Sequence, residues 1–328
     1  MIVIENLYNR DMENRFFEGY LGISMTTKQL FDKFQNDPSQ LRYLQARRSV
    51  QANAGRLLCT QLLIVVAVPT MVGLAGSYVP GLKAPAAIVA IFAAWLDIFV
   101  LDRLQKRKLA ISAKLQEEFD CNLFDLKWNP FVAGTRLDAD VVNYLAKKYV
   151  APGDRDTVRD WYPRELSRLP HAAGRLAAQI LNLGYDSSVR SSFRGYLVIA
   201  LAIIFLACLL ISQTPVFDIS TLILGVIVPL IPFVNWGARE AFRQHDAIKK
   251  LGDVSKSVIE IWEQTKKHRL TDEALDPIAR EIQNANYLRR SSVPMVWDKI
   301  YWLRRPKLEA KMVSRATELV GEYLGDNR

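Results

Sequence analysis

The sequence predicts an all-α membrane protein, with four transmembrane helices in two hairpins and a helical cytoplasmic domain. Two observations lead there. Four long stretches are almost free of charge: LLCTQLLIVVAVPTMVGLAG (57–76), APAAIVAIFAAWLDIFVL (84–101), GYLVIALAIIFLACLLIS (195–212) and ISTLILGVIVPLIPFVNWG (219–237). Each has about 18 to 20 residues, which at 1.5 Å per residue matches a hydrocarbon core of roughly 30 Å. Buried helices of soluble proteins rarely run this long without a polar face. The bulk composition conceals the pattern, because the 328 residues are 50% hydrophobic and 23% charged, so the apolar residues are concentrated rather than spread.

The second observation is where the basic residues lie. Arg42, Arg47, Arg48 and Arg56 precede the first stretch, and Arg103, Lys106, Arg107, Lys108 and Lys114 follow the second. Arg190 and Arg194 precede the third, and Arg239, Arg243, Lys249 and Lys250 follow the fourth, whereas the two short connections carry Lys83 alone. By the positive-inside rule both termini and the 103–194 insert are cytoplasmic. The net charge of +9 is largely these juxtamembrane clusters, which anionic lipid accounts for without a DNA or RNA partner.

The chain divides accordingly into an N-terminal segment (1–55), a first hairpin (56–102), an insert (103–194), a second hairpin (195–238) and a C-terminal region (239–328). Residues 1–24 lack an apolar signal-peptide region and read as a weakly ordered tail, with Met25 an alternative start. The second span continues through LDRLQKRKLAISAKLQEEF, since Leu104, Leu109, Ile111 and Leu115 keep an apolar stripe. That helix is expected to stop at KLQEEFDCNLFDLKWNP (114–130), where Asp120, Asn122 and Asp125 favour turns and Asn129-Pro130 forbids continuation. There Phe119, Cys121, Phe124 and Trp128 are expected to form a structural joint, docking the helix tip on the cytoplasmic domain. DADVVNYLAKKY (138–149) reads as a short amphipathic helix, APGDRD (151–156) as a loop, and DWYP (160–163) as the lead into another helix. Residues 170–183 form a helix expected to break at Gly184.

After the fourth span Ile248, Leu251, Val254, Val258 and Ile261 recur at helical steps, a seam that needs a partner: the 103–119 extension or a second subunit. Asp276-Pro277 reads as the start of a further helix, followed by VWDKIYWLRR and KLEAKMVSRATELVGEY as a closing pair. Trp297, Tyr301 and Trp302 among Lys299, Arg304, Arg305 and Lys307 fit either an interfacial helix or aromatic packing.

Chemistry is sparse. The sequence has no phosphate-loop, dinucleotide, HExxH or GxSxG motif, and Cys59, Cys121 and Cys208 share no metal-like spacing, so no catalytic residue, metal or cofactor is assigned. The Glu117-Glu118 pair reads as a solvated helix face. Asp97, four residues from the cytoplasmic end of the second span, is the exception, because a carboxylate at that depth needs a partner or water. Gln61 and Asn235 lie at similar depth; the three line a conduction path, or Asp97 simply reaches the interface or pairs with Arg56.

Several segments together carry a resemblance. QNDPSQLRYLQARR, AKLQEEFDCNLFDLKWN, VRDWYP, the trio Gln179, Asn182 and Asp186, and IQNANYLRRSSVPMVWDKIYWLRR resemble the SMODS-associating four-transmembrane effector family, in order around the two hairpins. The chain departs from the family pattern at AAQILNLGYDSSVR, which keeps one aromatic, Tyr185, and at Val50 and Asn53. The resemblance implies a pore-forming effector of cyclic-oligonucleotide-based anti-phage signalling (CBASS), not an enzyme, in the bacterial inner membrane. It further implies a cyclic nucleotide as activating ligand and action in the lipid bilayer; helix count alone adds a homo-oligomer, since four spans enclose at most a narrow path. Trp161 and Tyr162 are then candidates for base stacking, and Arg289 and Arg290 for phosphate. The rival readings are a constitutive channel or small transporter, with Asp97 a permanent ion site, and a membrane scaffold without a pore.

Overall fold

A computed structural model describes residues 27–150, 157–212, 227–293 and 295–325, together with Ile223. The 1–24 tail, the 151–156 loop, the turn after the third apolar stretch and most of residues 219–226 lie outside the described residues.

Every regular element among the described residues is helical. Helix α1 is Thr27–Asp32. Helix α2 runs from Pro38–Leu62 through a π-helical turn, Leu63–Ala67, into Val68–Tyr78. Asp37 caps its start, accepting from the Ser39 backbone N–H at 2.8 Å, with Pro38 at the first helical position where a missing N–H costs nothing. Helix α3 is built likewise: Lys83–Leu96, a π-helical turn Asp97–Leu101, then Asp102–Phe124. The short α4 (Pro130–Ala133) and α5 (Ala139–Lys147) are capped by Asn129 and Asp138. A 3-10 turn, Arg164–Arg168, precedes α6 (His171–Ser212); α7 (Val228–His268), α8 (Asp272–Ser292) and α9 (Asp298–Leu324) complete the chain.

Helix α3 ends within 114–130 as expected, at Asp125, whose φ of 52° puts it in the left-handed region, and the Leu126 N–H closes back on the Cys121 carbonyl at 2.9 Å. Other boundaries differ from the sequence expectation. Gly184 does not break α6: burial of Leu181, Leu183, Val189 and Phe193 on either side outweighs the roughly 1 kcal/mol that a helical glycine costs. Helix α8 begins at Asp272, four residues before the expected Asp276, and carries Pro277 in its second turn. The two expected closing helices are one, with Pro306 inside.

Helices α6 and α7, of 42 and 41 residues, are about 60 Å long, so each can supply an apolar half and a polar half. The buried core belongs to the halves outside the apolar stretches and joins Phe31, Leu44, Val50, Leu115, Phe119, Phe124, Leu176, Leu251, Trp262, Leu275 and Leu319. The α7 seam packs within the chain, but along α6 and not on the 103–119 extension; Leu251 and Val258 are its buried residues.

Two helices of the described residues are long and apolar enough to cross a membrane, Pro38–Gly73 and His171–Leu210. Their apolar side chains face outward: Leu63, Met71, Ile199, Ile203, Phe205 and Leu210 are exposed, as are Ile88, Ile91, Phe92 and Trp95 on the facing half of α3. A surface this apolar is stable only when water is excluded from it.

Candidate functional site

The polar residues at the end of α3 form a buried network. On α3, Glu117, Asp120, Cys121 and Phe124 recur at helical spacing and share one face, and on α8 Arg280, Gln283, Tyr287 and Arg290 do the same. The two stripes meet. Asp120 is fully buried and accepts from Gln116 Nε2 (2.8 Å), Tyr162 Oη (2.9 Å), Gln283 Nε2 (3.1 Å) and Arg290 Nη1 (2.7 Å). Glu117 accepts from Arg280 Nη2 and from Gln283 Nε2 at 2.9 Å. The solvated face expected at Glu117-Glu118 is therefore corrected: both are buried, and Glu118 pairs with Arg136 at 2.9 Å. Their partners lie far away in sequence, which local charge patterning does not reveal.

Burial raises the Tyr162 hydroxyl pKa, and the Asp120 carboxylate raises it further, so this hydroxyl stays a donor. Burial opposes the Arg290 charge, but Asp120 more than restores it, and its pKa ends above the usual arginine value. Burial also pushes the Cys121 thiol up, and Glu117 adds to this, so it remains a protonated, unreactive sulfur. Phe119 and Phe124 are fully buried and Trp128 is half-buried, donating to the Gly134 carbonyl at 2.8 Å. Arg175, itself 1% exposed, donates to the Phe124 carbonyl at 3.2 Å and pairs with Asp276, placing a cation on the C-terminus of α3.

A second chain of contacts leads toward the apolar stretches. Asp186 on α6 takes Arg289 of α8 and, at 2.9 Å, Arg190. Burial alone would raise the Asp186 carboxyl, but Arg190 and Arg289 outweigh it and hold the pKa at about 2. Arg190 Nη1 then donates to Gln244 Oε1 (2.9 Å), and Gln244 Nε2 to Glu240 Oε1 (2.7 Å), three residues beyond the fourth apolar stretch. Next to Glu240 in sequence, Arg239 Nη2 lies 3.8 Å from Asp97 Oδ2, and Gln61 Nε2 donates to Asp97 Oδ1.

Of the intramembrane candidates the structure thus brings Asp97 and Gln61 together, beside the two π-helical turns, and leaves Asn235 exposed and outside their hydrogen bonds. Arg239, not Arg56, is the cation that faces Asp97. Of the four nucleotide candidates, Tyr162 and Arg290 meet on Asp120. Trp161 is half-buried beneath the guanidinium groups of Arg47 (5.1 Å) and Arg48 (5.6 Å). The Tyr162 ring is enclosed between Phe31 and Phe124. Arg289 and Arg290 are held by Asp186 and Asp120.

This network includes most of the segments that carry the resemblance, and comparison with known proteins agrees with it. The sequence pattern of the SMODS-associating 4TM effector domain matches residues 31–319. A protein of Bacillus cereus (strain VD146) described as a "Probable CBASS effector molecule" is 24% identical over 225 residues, covering 67% of this chain and 72% of the relative. No solved structure matches the chain. The match from α1 to the last turns of α9 takes in the joint, both stripes and the apolar stretches between them, and so the chain belongs to the SMODS-associating 4TM effector domain family.

Proposed function

We infer that the protein is an anti-phage membrane effector whose cytoplasmic helices respond to a cyclic nucleotide and whose four spans then permeabilise the bacterial inner membrane. Both termini are cytoplasmic in this reading, as the flanking Lys and Arg require. One observation carries the mechanism: the ion pairs of Asp120 and Asp186 join α8 to α3 and α6, and both of those helices continue into apolar stretches. Packed charge pairs have discrete arrangements, so a ligand that favours one shift of α8 moves the spans as well, by as much as its affinity differs between the two states. Four spans enclose at most a narrow path, and a larger pore requires a homo-oligomer. The relative described as a CBASS effector supports the pathway, and membership of an effector-domain family supports a role other than catalysis.

The purified protein in liposomes, with and without cyclic nucleotides, tests this by dye and ion leakage. Leakage is expected only with nucleotide. Equal leakage in both conditions identifies a constitutive channel, and none in either identifies a scaffold. Replacing Asp97 by Asn is expected to change ion conductance severalfold if this carboxylate faces the path, through loss of its charge.

A further inference from the structure

The network leaves one concave surface unused. A cleft of about 500 Å³ lies where α2, the end of α5 and the start of α9 meet, and its wall includes Arg48, Asn53, Arg56, Lys148, Asp298 and Trp302. That volume is within the range of small-molecule sites. None of its three cations has a carboxylate within ion-pair distance among the described residues.

Arg48 is the telling residue. It is 8% exposed, and its guanidinium stands over Tyr301 (4.6 Å), Trp302 (5.2 Å) and Trp161 (5.6 Å). It donates to the Tyr301 hydroxyl, and its buried Nε has no hydrogen-bond partner. A buried cation held by rings and one hydroxyl, with its acid Asp298 beyond ion-pair distance, is only partly compensated for its desolvation. Arg56 and Lys148 are exposed at the same wall, Lys148 bonded to the Tyr144 hydroxyl. Asp298 is the acid of that wall; burial raises its carboxyl pKa, the Arg48 charge opposes that rise, and the two side chains do not come within ion-pair distance. Its Oδ2 lies 3.3 Å from where a Cβ on Gly55 would be, so glycine there lets α9 close on α2.

We propose that this cleft binds a phosphate-bearing ligand, a nucleotide whose phosphates meet Arg48, Arg56 and Lys148 and whose base lies against the Trp302 indole. Arginine forks and aromatic faces are the groups that recognise phosphate and planar bases. As to source, the assignment rests on the nucleotide-responsive reading above; an anionic lipid headgroup offers the same phosphate, since Arg56 directly precedes the first apolar stretch. Trp161 then acts from behind, as the ring that holds Arg48. The cleft is one helical turn and a half from Gln61 on the same α2, so a ligand that draws α2 toward α9 acts on the Gln61–Asp97 contact.

The test uses the full chain in phosphatidylcholine nanodiscs, titrated with fluorescent cyclic di- and trinucleotides. At least one is expected to bind. Arg56→Gln and Lys148→Gln should each weaken it about 5- to 10-fold, and the pair by about 30-fold or more, through loss of charge-assisted contacts. Both side chains are exposed, so thermal unfolding of the ligand-free variants should not change, and Arg103→Gln on α3 should leave binding intact. Nucleotide binding that ignores the double variant overturns the cleft and leaves nucleotide sensing standing. A second arm uses dihexanoyl phosphatidylglycerol. If it binds in a variant-sensitive way while no nucleotide binds, the phosphate cleft is upheld with lipid as its source, and the nucleotide-sensing reading falls. Variant-insensitive binding of both, or binding of neither, overturns the cleft.

Discussion

Asp120 has no exposed surface and four donors aimed at it, one of them the Arg290 guanidinium. Replacing it with Ala strands a buried cation and leaves Tyr162, Gln116 and Gln283 without that acceptor. Removal of one partner of a buried pair costs about 3–5 kcal/mol, so Asp120→Ala should lower the thermal unfolding midpoint in detergent by many degrees. Asp120→Leu combined with Arg290→Met should recover much of that loss, because the pair is then removed together. A double variant no more stable than Asp120→Ala would show that the other donors, and not Arg290, carry the cost. From sequence, Asp120 and Cys121 read as a turn beside a docking tip. Cys121, Phe119 and Phe124 are buried, but the acid's role was not legible because Arg290 lies 170 positions further along.

Among the elements, the helices with caps were the most readable. Asp138 before α5 is a local signal satisfied by a local hydrogen bond of 2.8 Å, whereas Asn129-Pro130, read only as a stop, also caps the short α4 through a hydrogen bond of 3.1 Å. Helix interruptions were not, because Gly184, Pro277 and Pro306 carry only small or position-dependent penalties, which burial along α6, α8 and α9 overrides. Gly174 is different, since a Cβ there would lie 3.0 Å from Thr27 Cγ2, 3.3 Å from the Phe31 ring and 3.4 Å from the Leu166 carbonyl oxygen. Helix α6 can approach α1 and the 3-10 turn this closely only with glycine. Gly174→Val should destabilise the protein by about 1–3 kcal/mol through overpacking, read as a lower unfolding midpoint. An unchanged midpoint would mean that α1 does not dock on α6 in solution.

For the molecule as a whole, the insert at 103–194 is contiguous in sequence but not in packing. Its Leu115, Phe119, Phe124 and Leu176 share one core with Leu44 and Val50 of α2, Leu251 and Trp262 of α7 and Leu319 of α9. The excised fragment 103–194 therefore lacks most of its core partners and should show little cooperative thermal unfolding by circular dichroism; a sharp transition would establish an independent domain. The membrane character was readable from the uninterrupted apolar stretches and the bias of Lys and Arg, because hydrophobic length and juxtamembrane charge are one-dimensional properties of the chain. Helical content and family resemblance follow from similarly local patterns. Which polar residues meet was settled only in three dimensions: Asp97 with Gln61 and Arg239, Asp186 with Arg289 and Arg190, and Arg48 among three rings at the wall of a cleft. The physical reason is range. Capping, turn and hydropathy signals act over a few residues, whereas a buried charge is stabilised by whichever partner the packing of distant helices brings within about 3 Å.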